Sequence, residues 1–327
     1  MLKILFNTVL GVALIFIWSR FVNINEIFQA ISKISPLNLT PVFLCMFLSP
    51  FFRAVRLQIF LSEIKKIKLL DLIFLNGAAQ MLNFFIPIRA GELAKGVYLN
   101  NKYNLPLAKS IVWVFMDRFV DFLFVLLFAS LLVAVVPTKL PAGFAQTSLI
   151  IFVMVAVATY LVIFQINFSK KLVQFLQSLL IVKTIKIYFV RFSNFILDSF
   201  TILKRHPKDL SLMFLITLLA YGADAGVWYF TFLALKFPQE YVKMYLGQLL
   251  SALTYLVPAA PGYVGSTEAS GLLILSGIFG IENNVASSMI VLFHIVTALG
   301  ILVFGLISAF FLKLDLGLIF KKALKRN

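Results

Sequence analysis

From Val285 to Leu312 the chain carries one ionisable side chain, His294, in a run that is otherwise apolar or small and polar. A hydrocarbon core of about 30 Å takes roughly 20 such residues as a helix, because each backbone amide must be satisfied within the segment. Comparable runs occur at Ile4–Phe21, Leu39–Leu61, Ile111–Val136, Ser148–Ile166 and Leu210–Leu235. The first follows Lys3, but Trp18, Arg20 and Phe21 stand where a signal peptide would have small residues for cleavage, so it reads as a span. The expected fold is an all-α polytopic membrane protein with six spanning helices. Composition excludes the soluble classes. The chain is 61% hydrophobic and 13% charged, with mean hydropathy +1.01. Soluble domains run nearer 45–50% apolar and about 25% charged. The net charge of +16 falls largely between the apolar runs, where it reports orientation and not nucleic-acid binding. One cysteine, Cys45, gives no disulfide framework, and two histidines, His206 and His294, give no metal-ligand cluster. No cofactor is expected.

Two further apolar regions are broken. Leu69–Ile86 continues into Leu93–Leu105, a limb holding Lys95, Asn100, Asn101, Lys102 and Asn104, too polar to cross. Tyr241–Val257 runs into Pro258-Ala-Ala-Pro261-Gly262 and then a short limb, Glu268–Ile281. Short apolar limbs suit re-entrant segments. If both regions return to the side they entered, seventeen Lys and Arg lie on the side of the N- and C-termini and five on the other. If the first region crossed instead, the loop from Lys170 to Lys208, with eight bases, would face outward. The positive-inside rule selects the hairpins and puts both termini in the cytoplasm, as for a bacterial inner-membrane protein.

The hairpins share a pattern. One reads Leu82-Asn83-Phe84-Phe85-Ile86-Pro87 and then Arg89, Gly91 and Glu92; the other reads Leu253-Thr254-Tyr255-Leu256-Val257-Pro258 and then Gly262, Gly265 and Glu268. Two spans precede each and one follows, with every direction reversed in the second half. Residues 1–140 and 148–327 therefore read as an inverted-topology repeat, an architecture of secondary transporters. Proline removes a backbone donor and glycine allows tight turns, so such backbone must line a protein-enclosed or watery cavity.

Charge within the membrane is costly and marks function or a structural brace. Arg53 and Arg56 lie three apart on one span, so they share a face and either line a cavity or snorkel to headgroups. Glu92 either faces the cavity or caps a helix beside Arg89. Asp117 and Asp121 share a face, as partners of arginines or as functional acids, while Arg118, one residue on from Asp117, is expected to project elsewhere. Asp224, between Gly222 and Gly226, reads as a hydrogen bonder at a packing site. Glu268 has no basic neighbour in sequence and calls for a distant partner or a proton. His294 reads as a satisfied polar contact. Leu172, Phe175, Leu176 and Leu179 beside Lys170, Lys171, Lys183 and Lys186 form an amphipathic segment suited to anionic lipid.

No GxxxxGK[ST], GxSxG, HExxH or GxGxxG motif occurs, so neither ATP hydrolysis nor a familiar hydrolase is encoded by a known signature. Three groups, Asn83-x-x-x-Pro87-x-Arg89-x-Gly91-Glu92, Asp117-Arg118-x-x-Asp121 and Pro261-Gly262-x-x-Gly265-x-x-Glu268, resemble the transmembrane region of lysylphosphatidylglycerol synthases, a flippase-like family. The resemblance covers nearly the whole chain and implies a standalone member without the synthetase domain. It departs at His294, where many relatives carry arginine. By resemblance, the function is movement of an anionic, aminoacylated or polyprenyl-linked lipid between leaflets. Arg53, Arg56, Asn83, Arg89, Glu92, Asp117, Arg118, Asp121, Gly262 and Glu268 would form the substrate site. A membrane lipid is the expected partner; a homo-oligomer or an association with a membrane enzyme stays open. The alternatives are an integral-membrane transferase or its accessory subunit, acting on a lipid-linked donor, and a scaffold for other membrane enzymes.

Overall fold

The computed structural model describes residues 23–314 apart from 63–64, 87–89, 142, 180–185, 188, 191–192, 195–206 and 255–259, together with a few positions between 9 and 20. The expected span Ile4–Phe21, residues Pro87 and Arg89 of the first hairpin, and Tyr255 to Pro258 of the second lie wholly or largely outside the described residues. All regular structure among the described residues is helical. In chain order the helices are α1 (Ile24–Ser32), α2 (Thr40–Ser62), α3 (Leu69–Phe85), α4 (Ala90–Tyr103), α5 (Leu107–Val135) and α6 (Gly143–Phe164). Then come α7 (Ile166–Leu179), α8 (Pro207–Ala234), α9 (Tyr241–Thr254), α10 (Ser266–Leu272) and α11 (Asn283–Phe311). A π-helical turn, Leu273–Ile278, extends α10.

Among the described residues, four stretches, Pro36–Ser62, Met116–Val135, Ser211–Ala234 and Asn283–Phe311, are long and apolar enough to cross a membrane. The limbs of the two broken regions are shorter. The 17 residues of α3 and the 14 each of α4 and α9 reach about 26 Å and 21 Å at 1.5 Å per residue. Two of the helices, one short and one long, are opened by side chains that satisfy orphan amides. Asn23 accepts from the amides of Asn25 and Glu26 to open α1, and Glu282 accepts from those of Asn284 and Val285 to open α11. A polar latch ties these two ends: Asn284 Nδ2 donates to Glu26 at 2.6 Å, and its Oδ1 accepts from the Asn23 amide at 3.0 Å.

The packing is regular. α2 lies along α8, α3 along α11, and α5 along α9. Each hairpin's second limb packs on the helix that follows it, α4 on α5 and α10 on α11. Two apolar cores result. One gathers Val42, Phe124, Trp228, Leu246 and Met289; the other gathers Leu57, Phe60, Leu72, Leu99 and Met213. The early part of α2 shares a core with the late part of α8, and the late part of α2 with the early part of α8, so the two helices run antiparallel. Between the cores, halfway along both helices, the side chains turn polar.

Candidate functional site

Ser49 and Arg53 of α2 and Tyr221 and Asp224 of α8 face a cavity of about 400 Å³. α3 adds Asn76, Gln80 and Asn83, α4 adds Glu92 and Lys95, and α5 adds Arg118 and Asp121. The far wall is Gln248 of α9, Tyr263, Thr267 of α10, and His294 and Thr297 of α11. On α2, α5, α8 and α11 these positions fall near the helix midpoint, the most expensive place for charge if the helix spans a bilayer.

The charges are held in pairs. Arg56 is fully buried under the cavity floor; its Nε donates to Asp117 at 2.8 Å, and its Nη1 to Asp121 at 2.5 Å and Thr217 at 2.8 Å. Arg53 sits one turn away, on the cavity wall. It donates to Asp224 at 2.7 Å and to Ser49, and its guanidinium lies 5.3 Å from the Tyr221 ring centre. The two arginines share a helix face, yet one is structural ground and the other is accessible. Buried ions need this degree of pairing, because desolvation otherwise exceeds the attraction.

Arg118 corrects its expected direction. Its guanidinium folds back along α5 and lies 3.1 Å from both Asp117 and Asp121. The 100° offset between neighbours applies to Cβ, and a long side chain can return to the shared face. The remaining edge, Nε, lies 3.7 Å from Glu92. Glu92 is also 3.3 Å from Lys95 Nζ. These contacts are loose: Glu92 Oε2 and Arg118 Nε are buried without a hydrogen-bond partner.

The hairpin tips are built on side-chain caps. Asn83 Oδ1 accepts from the Gly91 amide at 2.8 Å, tying the end of α3 to the start of α4. Gly91 has no room for a Cβ, which would come within 2.0 Å of the Ala79 carbonyl oxygen. In the second hairpin, Gly262 and Gly265 take positive φ of 71° and 80°. Glu268 turns back to accept from the Gly265 amide at 2.7 Å. Its distant partner is His294, whose Nδ1 lies 2.5 Å from Glu268 Oε1 while Nε2 lies 2.7 Å from the Gly262 carbonyl oxygen. A carbonyl only accepts, so this network assigns a hydrogen to Nε2. A second proton must then lie between Nδ1 and the carboxylate. The Glu268–His294 pair therefore holds one shared proton and has no net charge.

Of the residues singled out in sequence, Arg53, Asn83, Glu92, Arg118 and Asp121 line the cavity, joined by Asp224 and His294. Arg56 and Asp117 brace it from below, Gly262 and Glu268 hold His294, and Arg89 lies outside the described residues. Lys95, Asn76, Gln80, Tyr221 and Gln248 were missed. Two signals were there. Asn76, Gln80 and Asn83 are spaced four and three apart, a polar stripe on an apolar helix, and Lys95 is three past Glu92, on its face. Lys95 was read only as part of a limb too polar to cross.

Apolar helices around a buried, charge-paired cavity define a polytopic integral membrane protein with a polar site at mid-helix. Residues 4–305 match the family described as Lysylphosphatidylglycerol synthase TM region, and the chain belongs to that family. The match ties it to membrane lipid modification or flipping. No curated protein matches it by sequence.

Proposed function

We propose that this chain is a flippase-like carrier that moves a polar lipid headgroup between leaflets. The observation that carries this reading is the cavity itself: a chamber of about 400 Å³, lined by three basic and three acidic side chains, midway along long apolar helices and flanked by two broken ones. A static structural brace has no need of an open volume. A carrier does, because the headgroup must leave water and meet matched charges before it can cross.

The proposed architecture is an inverted-topology repeat, residues 1–140 and 148–327, with six spans and two re-entrant hairpins. The packing supports it by exchange. α3 of the first hairpin lies on α11 of the second half, and α9 of the second hairpin lies on α5 of the first, while α2 and α8 pair with each other. A two-fold operation relating the halves maps these contacts onto one another. With both termini in the cytoplasm of a bacterial inner membrane, the basic loops face inward as the positive-inside rule requires.

In this reading Arg53, Arg118 and the bases beside them receive the phosphate of an anionic, aminoacylated or polyprenyl-linked lipid, since guanidinium matches phosphate geometry. Asn83 and Glu92 shape the first tip, and Arg56, Asp117 and Asp121 hold the cations in place. Gly262 and Glu268 position His294 at the second tip. The test is a leaflet-resolved assay with purified protein in vesicles containing tail-labelled fluorescent phospholipids and an impermeant reductant outside. Wild-type protein exposes the inner-leaflet pool to the reductant, and protein-free vesicles protect it. Unaltered rates in both Glu92→Gln and Glu268→Gln would remove both residues from the mechanism. Product formed from a labelled lipid-linked donor by the purified protein would favour the transferase reading instead.

A further inference from the structure

A cavity of about 400 Å³ is the size of a small-molecule pocket, so it can hold a headgroup but not the tails of a lipid. The tails of a carried lipid must pass through a wall. Met46 of α2 and Ile301 of α11 both line the cavity. Where these two helices meet, Met46 is a plug. A Cβ at Gly300 of α11 would lie 2.3 Å from the Met46 Cε, so the terminal methyl fills the notch that the glycine leaves. One residue on, the Phe47 ring meets that of Phe304 edge-on at 6.0 Å. Outside this seam, among the described residues, Leu44 and Phe47 on α2 and Leu299 and Val303 on α11 are exposed. Such side chains favour hydrocarbon.

The seam is built to part. Methionine is unbranched and changes rotamer readily. The neighbouring seam, between α3 and α11, differs. A Cβ at Gly305 would lie 2.4 Å from Met81 Cβ, an atom that no rotamer change moves. α2 also breaks at this level. Pro50 lies inside the helix and has no amide hydrogen, so the Met46 carbonyl, four residues before it, lacks its usual helical donor. Sharp helix bends concentrate at such prolines. The Pro50 carbonyl accepts from Asn76 Nδ2 at 3.2 Å, which ties the break to α3. Cys45 Sγ is seated over Gly226, 2.7 Å from where a Cβ would stand, which holds the same stretch of α2 on α8. That stretch can roll on α8 while Met46 and Phe47 leave α11.

We infer that the seam between α2 and α11 is a side gate, closed by Met46 over Gly300 and hinged at Pro50. When Met46 leaves the notch, the cavity opens sideways to hydrocarbon, and a lipid can seat its headgroup inside while its tails stay outside the protein. The inference rests on the carrier reading and adds to it a route of entry. With both termini in the cytoplasm, the gate faces the outer half of the bilayer.

The test ties the gate shut. Met46→Cys and Gly300→Cys are combined in a Cys45→Ala chain, which has no other thiol. The shorter side chain at position 46 makes room for the new one at 300. A short bis-methanethiosulfonate bridges the pair, and dithiothreitol releases it. Translocation is scored in vesicles by albumin back-extraction of tail-labelled phospholipid, which leaves the bridge intact. Bridging should slow translocation by about tenfold or more, and dithiothreitol should restore the unbridged rate. Pro50→Ala in the wild-type chain returns the missing helical hydrogen bond; it should slow translocation by about two- to tenfold while raising the thermal midpoint. This variant keeps the gate falsifiable if the cysteine chain does not fold. A bridged protein that translocates at the unbridged rate overturns the gate and leaves the carrier reading standing. An unaltered rate in Pro50→Ala overturns the hinged gate in the same way. Failure of the bridge to form in the folded chain overturns the seating of Met46 over Gly300, and the gate with it. Absence of translocation by the wild type overturns the carrier reading and the gate together.

Discussion

The two hairpin tips share a sequence pattern and use their acids differently. Glu92 of the first sits between Lys95 and Arg118 with an oxygen left unbonded. Glu268 of the second is fully engaged, by the Gly265 amide on one oxygen and His294 on the other. The first tip is an exchangeable ion pair; the second is a closed cap with one proton inside it. Similar local sequence therefore yields a loosely paired acid or a fully engaged one, according to what stands three residues on and what the neighbouring helix presents. At the first tip those are Lys95 and Arg118. At the second, position 271 is a glycine packed against Ile290, and the facing helix offers a histidine.

The comparison can be broken from the scaffold upward. Arg56→Ala leaves Asp117 and Asp121 sharing Arg118 and empties the buried site between them, and should cost about 3–5 kcal/mol, read as a large fall in thermal midpoint or in folded yield. A variant as stable as wild type would mean that the first tip does not rest on this network. Gly91→Ala should cost about 1–3 kcal/mol or more, because the new methyl meets backbone and not a flexible side chain. Gly262→Ala, where the nearest atom to a new Cβ is 3.5 Å away, should cost only the strain of positive φ, about 1–2 kcal/mol. Equal losses at the two glycines would contradict the closer packing of the first hairpin.

The smallest effect sharpens the distinction. Glu268→Gln keeps an oxygen for the Gly265 amide but loses the shared proton, and should cost about 0.5–1.5 kcal/mol. Its translocation rate should fall less than that of Glu92→Gln measured in the same vesicles. The opposite ranking would make the second tip the ligand-bearing one.

Much of this was legible before any coordinates. Runs such as Val285–Leu312 demand helices, because lipid offers a backbone amide no partner. The apolar region that ends in Pro87 is one whose helix stops short, at Phe85. What periodicity could not say is which charges meet. Arg53 and Arg56 look alike on a helical wheel, and only the approach of α8 and α5 makes one a cavity wall and the other a buried brace. Arg118 defeated a wheel argument because its reach exceeds the offset between neighbouring Cβ atoms. His294 seemed isolated because its partner, Glu268, belongs to another helix.

The sequence by itself determined that the chain lives in a membrane, that its helices break in two places, and that a few polar side chains must be enclosed. These follow from local composition, since hydrophobic length and backbone hydrogen bonding act residue by residue along the chain. Only the tertiary structure decided which of the described charges pair around the cavity, the loose pairing of Glu92 and the closure of Glu268. Those are pairwise properties of side chains on different helices, and electrostatic energy depends on distances that no spacing in one dimension records.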